Sequence, residues 1–171
     1  MIHVPTNILL VDDEKDFVEM LSMRLEDAGD KVTPAYDGSM CLEKLEATPI
    51  DVVILDIKMP GMDGIEALKA IKEVQPEAQI ILLTGHATVE KGVEAIKLGA
   101  TDFVEKPADI ESLTRKIKKA HAKKIMIVEK QEKDMDERNS FIDEAEKSLG
   151  EKEKELEEMT KEFQEESTEK T

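Results

Sequence analysis

Three runs of aliphatic side chains, ILLV at 8–11, VVIL at 52–55 and IILL at 80–83, contain no polar alternation. A strand with one wet face alternates apolar and polar residues; an unbroken run of four to eight is buried on both faces, as in a parallel sheet covered by helices. Between the runs the period changes to that of a helix. Phe17, Leu21, Leu25 and Ala28 share one face of a segment closed by Gly29; Ile65, Leu68, Ile71 and Val74 share another, ended by Pro76. Two poorer strands complete the set, at 31–36 and 102–104. Pro34 cannot donate to a ladder, which assigns the first of these to a sheet edge. Asp37 caps a short helix through Leu42 and Leu45. A fourth helix carries Val89, Val93, Ala95, Ile96 and Leu98 up to Gly99, and a fifth carries Ile110, Leu113 and Ile117. Five strand-helix units with no hairpin signals predict a doubly wound α/β domain with a five-stranded parallel sheet.

Such a sheet collects the ends of its strands along one crevice, where open α/β folds hold their ligands. The residues at those ends are Asp12 and Asp13, then Asp56, Thr84 and Lys106. Two carboxylates ~4 Å apart repel by about 4 kcal/mol at an effective dielectric of about 20. Three in one pocket therefore call for a cation or for raised pKa values. An all-oxygen donor set favours Mg²⁺. With the metal bound, Asp56 stays ionised and a phosphoryl group is drawn in, its oxygens within reach of Thr84 and Lys106. The sum predicts a phosphate site in which an acid is available as nucleophile. A lone strand-end aspartate is ordinarily a loop acid, and only the company of the other four residues gives Asp56 this reading.

Charge and cysteine usage limit the partners. The chain has 171 residues and a net charge of −16, which opposes direct binding to nucleic acid or an anionic membrane. The single Cys41 excludes an internal disulfide and fits a reducing compartment. It lies in an amphipathic segment, where buried filler is the plainer reading than a nucleophile. No segment has the length and apolarity of a membrane span, and the N-terminus lacks a signal-peptide pattern. The expectation is a soluble, cytoplasmic protein.

In their order and spacing the DDE at 12–14, ILDIKMPGMDG at 54–64, LLTGHA at 82–87 and FVEKP at 103–107 resemble the receiver domain of bacterial two-component response regulators, over residues 7–121. The resemblance implies a CheY-like, flavodoxin-like (βα)5 fold with strand order 2-1-3-4-5. It implies that Asp56 accepts a phosphoryl group from a sensor histidine kinase, that Asp12, Asp13 and Asp56 hold Mg²⁺ with the backbone carbonyl of Lys58, and that Thr84 and Lys106 bind the phosphoryl oxygens. Thr84 and Phe103 are the expected switch pair, moving the face made by the fourth helix, fifth strand and fifth helix. Phe103 lacks the hydroxyl of the Tyr often found there, so its inward position gains packing alone; a purely structural core role is compatible with this. Lys58 and His86 occupy positions that line the route of attacking water, and they serve equally well as solvated loop side chains. The Lys106–Pro107 bond is the expected cis peptide. Such a chain is a phosphoacceptor that assists its own phosphotransfer and dephosphorylation rather than an enzyme.

After residue 121 the composition changes, dividing the chain into a receiver at 1–121 and a charged helical extension at 122–171. Helix formers dominate and Pro is absent. Val128, Met135, Ile142, Leu149, Leu156 and Phe163 recur every seven residues, whereas the second seam position holds Gln131, Arg138, Ala145, Lys152 and Met159. A half-apolar seam fits a weak coiled coil, a homodimer or a docking helix; a solvated helix fraying after Phe163 explains it equally well. The overall expectation is a stand-alone receiver acting through protein contacts. The rival readings are a phosphorelay shuttle to a histidine phosphotransfer protein, a structural protein acting through its tail, and a Mg²⁺-dependent aspartyl phosphatase. The last is disfavoured because that class spaces its acids as D-x-D, and Asp12 and Asp13 are adjacent.

Overall fold

In the computed structural model, which describes residues 4–85, 89–106 and 109–170 (Val89 by its backbone only), the three aliphatic runs lie side by side at the centre of one sheet. The strands are β1 (Asn7–Val11), β2 (Lys31–Ala35), β3 (Val52–Asp56), β4 (Gln79–Thr84) and β5 (Asp102–Glu105), all parallel, in the order β2-β1-β3-β4-β5. Every residue of β3 and β4 is buried, as expected for strands covered on both sides. Pro34 lies on β2, an edge strand whose ladder is with β1 alone.

Alternate residues of the central strands feed two separate cores. Leu9, Val53, Leu55, Ile80 and Leu82 face α2 (Gly38–Ala47), α3 (Gly64–Val74) and α4 (Val89–Lys97). Ile8, Leu10, Ile54, Ile81 and Leu83 face α1 (Lys15–Asp27) and the first turns of α5 (Ile110–Glu169). Asp37 and Asp63 cap α2 and α3, each accepting a backbone N–H three residues on, at 2.7 and 2.9 Å. Cys41 is fully buried in the first core, and burial with the nearby Asp37 charge pushes its thiol up to about 12, so it is inert filler.

Two helical stripes are less deeply buried than their spacing suggests. Val74 is exposed at the last residue of α3, and on α4 Ala95 is buried while Val93 and Ile96 are exposed. The small residues face the sheet there, because Gly92 and Ala95 let α4 approach closely.

Contacts divide the chain into two units, Met1–Val128 and Glu129–Thr171. The second consists of the later turns of α5, whose described residues are exposed apart from the half-exposed Gly150. Five acid-to-base pairs four residues apart, Glu129–Lys133, Asp134–Arg138, Asp143–Lys147, Glu157–Lys161 and Glu166–Lys170, support a helix with no core to lean on. Among the described residues no helix is long and apolar enough to cross a membrane.

Candidate functional site

The carboxyl edge of the sheet carries the acids. Asp12 follows β1 directly and is fully buried, Asp13 beside it is exposed, and Asp56 is the last residue of β3, only 6% exposed. Carboxylate oxygens from all three lie within 4.8 Å of one another. Each buried acid has one oxygen fixed by backbone: Glu14 N–H donates to Asp12 Oδ1 at 2.9 Å, and Lys58 N–H to Asp56 Oδ1 at 3.1 Å. These two short turns hold the other oxygens in place toward the crevice. Lys106, just past β5, places its Nζ 2.7 Å from Asp12 Oδ2 and 3.4 Å from Asp56 Oδ2.

Electrostatics follow from that geometry. Burial, and then the charge of Asp12, push the Asp56 carboxyl up to about 6, against the opposing pull of Lys106 and the Lys58 N–H. Burial draws the Lys106 ammonium down, but its hydrogen bond to Asp12 and the charges of Asp56, Asp12 and Glu14 outweigh it and hold its pKa above the ordinary lysine value. Three carboxylates against one ammonium leave an excess of negative charge that a divalent cation would neutralise. The donor set is all oxygen, which suits Mg²⁺, and the protein fits the ion in that sense.

Thr84 ends β4, one residue beyond the Asp56–Leu83 pair of the sheet register. It is fully buried, and its hydroxyl donates to the Val104 carbonyl at 3.5 Å rather than being spent on the carboxylates. Phe103 is partly buried. A Cβ added to Gly92 would stand 3.3 Å from the Phe103 ring and 3.5 Å from the Thr84 methyl, so ring and methyl converge on the one bare point of α4. Lys58 is an exposed side chain. His86 and Pro107, and with Pro107 the Lys106–Pro107 peptide, lie outside the described residues.

One residue of this site escaped the sequence reading. The ring of Phe17, in the first turn of α1, lies 4.6 Å from Lys106 Nζ. Its helical spacing marks it as core, and it is indeed packed on the second core, but the face of its ring also holds the lysine. The available signal was position: the first turn of the helix after Asp12 and Asp13 must overhang the same crevice.

A parallel 2-1-3-4-5 sheet with three acids at the ends of its first and third strands, and a lysine after its fifth, defines a receiver-type α/β domain. The match is direct: residues 8–118 fit the family model of the response regulator receiver domain, and the chain belongs to that family. It is 40% identical over 114 residues to the transcriptional regulatory protein FixJ of Bradyrhizobium diazoefficiens, covering 67% of this chain and 56% of FixJ. It is 37% identical over 122 residues to the transcriptional regulatory protein ZraR of Escherichia coli, covering 71% of this chain and 28% of ZraR. The shared part is thus about half of the first relative and little more than a quarter of the second. Among solved structures, a response regulator receiver domain protein from Clostridium thermocellum superposes with a TM-score of 0.69 at 33% identity, over 71% of this chain and 98% of that one.

Proposed function

We propose that this receiver takes a phosphoryl group onto Asp56 from a phosphohistidine of a sensor histidine kinase. The observation that carries the reading is the convergence of Asp12, Asp13 and Asp56 within 4.8 Å, with Lys106 at 2.7 and 3.4 Å from two of them. An Asp56 carboxylate oxygen attacks phosphorus, the P–N bond breaks, and the departing imidazole keeps the electron pair and is protonated from solvent. Mg²⁺ held by Asp12, Asp13, Asp56 and the Lys58 carbonyl would supply charge neutralisation for the incoming phosphoryl oxygens. Lys106, steadied by Asp12 and the face of Phe17, holds one oxygen, and Thr84 takes another by exchanging its long bond to Val104 for the new acceptor. Positioning and preorganised charge do most of the work.

The acyl phosphate then acts as a switch. When Thr84 moves toward Asp56 its methyl leaves the side of Phe103, and the ring follows into the freed space beside Gly92, reshaping the surface of α4, β5 and α5. That face, or the tail, engages a downstream protein in the cytoplasm, with no direct grip on nucleic acid. A phosphorelay shuttle would use the same residues and is separated by a transfer assay to a histidine phosphotransfer protein.

Incubation with Mg²⁺ and acetyl phosphate, or with a phosphorylated histidine kinase, is expected to add one phosphoryl mass to the wild type and none to Asp56→Asn. A mass gain retained in Asp56→Asn would place the acceptor elsewhere. Lys58 and His86 are proposed to slow hydrolysis of the product by crowding the approach of water. Unchanged dephosphorylation rates in both Lys58→Ala and His86→Ala would remove that role.

A further inference from the structure

The second unit of the chain presents large apolar side chains to solvent: Met135, Leu149, Leu156, Met159 and Phe163 are each more than 60% exposed, Phe163 at 75%. They belong to a seam of ten positions on α5, alternately three and four residues apart, from Gln131 to Phe163. One series of that seam is wholly apolar, and the other contains Gln131, Arg138 and Lys152.

We propose that this seam pairs with the same seam of a second copy of the chain, in antiparallel orientation, with Met135 opposite Met159 of the partner subunit. The choice of partner rests on how the polar residues fall. A parallel pair sets each position against itself, so Arg138 meets Arg138 and Lys152 meets Lys152 in the buried line, and Gln131 meets Gln131. The antiparallel pair sets one series against the other. Gln131 then faces Phe163, Arg138 faces Leu156, Ile142 faces Lys152 and Ala145 faces Leu149, so every layer has an apolar member and no two cations meet. All ten positions are used, and no shift of one heptad preserves that. A pair related by a twofold axis makes each contact twice, as a self-complementary surface requires. Arg138 lies level with Glu155 on the edge of the facing helix, and the aliphatic stem of Lys152 can lie along Ile142 with its ammonium in water.

Charge sets the conditions. The positions flanking the seam hold Glu132, Asp134, Glu146, Glu153, Glu155 and Glu162 and no base, and residues 129–171 contain 17 acids against 8 bases. Association is therefore opposed at low ionic strength and strengthened by salt.

Sedimentation equilibrium of the full chain is expected to show a monomer–dimer equilibrium that tightens as salt rises, with Ile142→Glu weakening it by roughly a hundredfold. Circular dichroism of that variant checks that the receiver remains folded. Orientation is read by disulfide trapping. Met135→Cys mixed with Met159→Cys is expected to cross-link, and Met135→Cys alone is not, because in this register its two copies stand about 36 Å apart. The native Cys41 is fully buried and does not compete. A chain that stays monomeric at all concentrations and salts overturns the pairing, and self-cross-linking of Met135→Cys overturns its orientation.

Discussion

Asp56 is ionised at a cost that a cation beside it would offset. Its carboxyl is raised from an ordinary 3.8 to about 6 by burial and by Asp12, so at neutral pH the fold keeps it ionised against a penalty that the unfolded chain does not bear. A shift of that size is worth about 3 kcal/mol. In chelator, Asp56→Asn is expected to raise the unfolding free energy at neutral pH by about 1–3 kcal/mol, the lower end allowing for the weakened contact with Lys106. The sign with pH follows from the direction of the shift. A raised carboxyl contributes stability that is fully present below pH 3.8 and is lost as pH rises through about 6. The advantage of the Asn variant should thus be largest above pH 6 and shrink toward pH 4, and Mg²⁺ should reduce it at neutral pH. Urea titrations at three pH values, with and without the metal, decide it; a variant no more stable than wild type in chelator would show that Asp56 bears no penalty. The strand-end acids were legible because an unalternated aliphatic run must stop somewhere, and its stop faces the crevice. The Phe17–Lys106 contact was not, since it joins residues far apart in sequence through a distance that no periodicity encodes.

Elements were legible to the degree that burial dictated their pattern. The edge place of β2 was readable from Pro34, and the central place of β3 and β4 from their aliphatic runs; the full order of the strands came only with the family resemblance. The stripes of α3 and α4 were readable in position but not in depth, because which face touches the sheet is decided by small residues as much as by large ones. Gly64 shows how strongly. A Cβ there would lie 2.6 Å from Ile57 Cα and 2.8 Å from the Asp56 carbonyl oxygen, both backbone atoms that cannot step aside. The first turn of α3 is thereby pressed against the segment that aims Asp56, and Gly64 N–H closes the loop on Ile57 O at 2.8 Å. Gly64→Ala is expected to cost about 2–4 kcal/mol in urea unfolding and to slow phosphorylation of Asp56 by displacing its loop. An alanine variant that matched wild type in both would mean that α3 can shift freely, and that the site does not depend on this contact.

At the scale of the whole chain, a second polar cluster closes the opposite edge of the sheet. Asp51, just before β3, accepts the Asn7 N–H on Oδ2 at 2.9 Å and the Lys124 ammonium on Oδ1 at 3.1 Å, and its Oδ2 stands 3.6 Å from His121 Nε2. His121 Nδ1 in turn meets the Thr6 hydroxyl at 2.9 Å, and Lys124 donates to the Ile50 carbonyl at 2.7 Å. One half-buried carboxylate thus ties the start of β1 to α5, across partners 44 to 73 residues from it in sequence. Nothing in local pattern announces this, and Asp51 reads in isolation as the polar residue before a strand. Removing it leaves the Asn7 N–H without its acceptor, and leaves the Lys124 ammonium with the Ile50 carbonyl but no counter-charge, so Asp51→Ala is expected to lose about 2–3 kcal/mol of stability. Asp51→Asn, which keeps a carbonyl oxygen for Asn7, should lose less. Phosphorylation of folded Asp51→Ala with Mg²⁺ should persist, because the acids sit at the other end of the strands. A loss below about 0.5 kcal/mol in Asp51→Ala would mean that water replaces the carboxylate at little cost, leaving the apolar contacts of Leu113, Ile117 and Ala120 to hold α5 on the sheet.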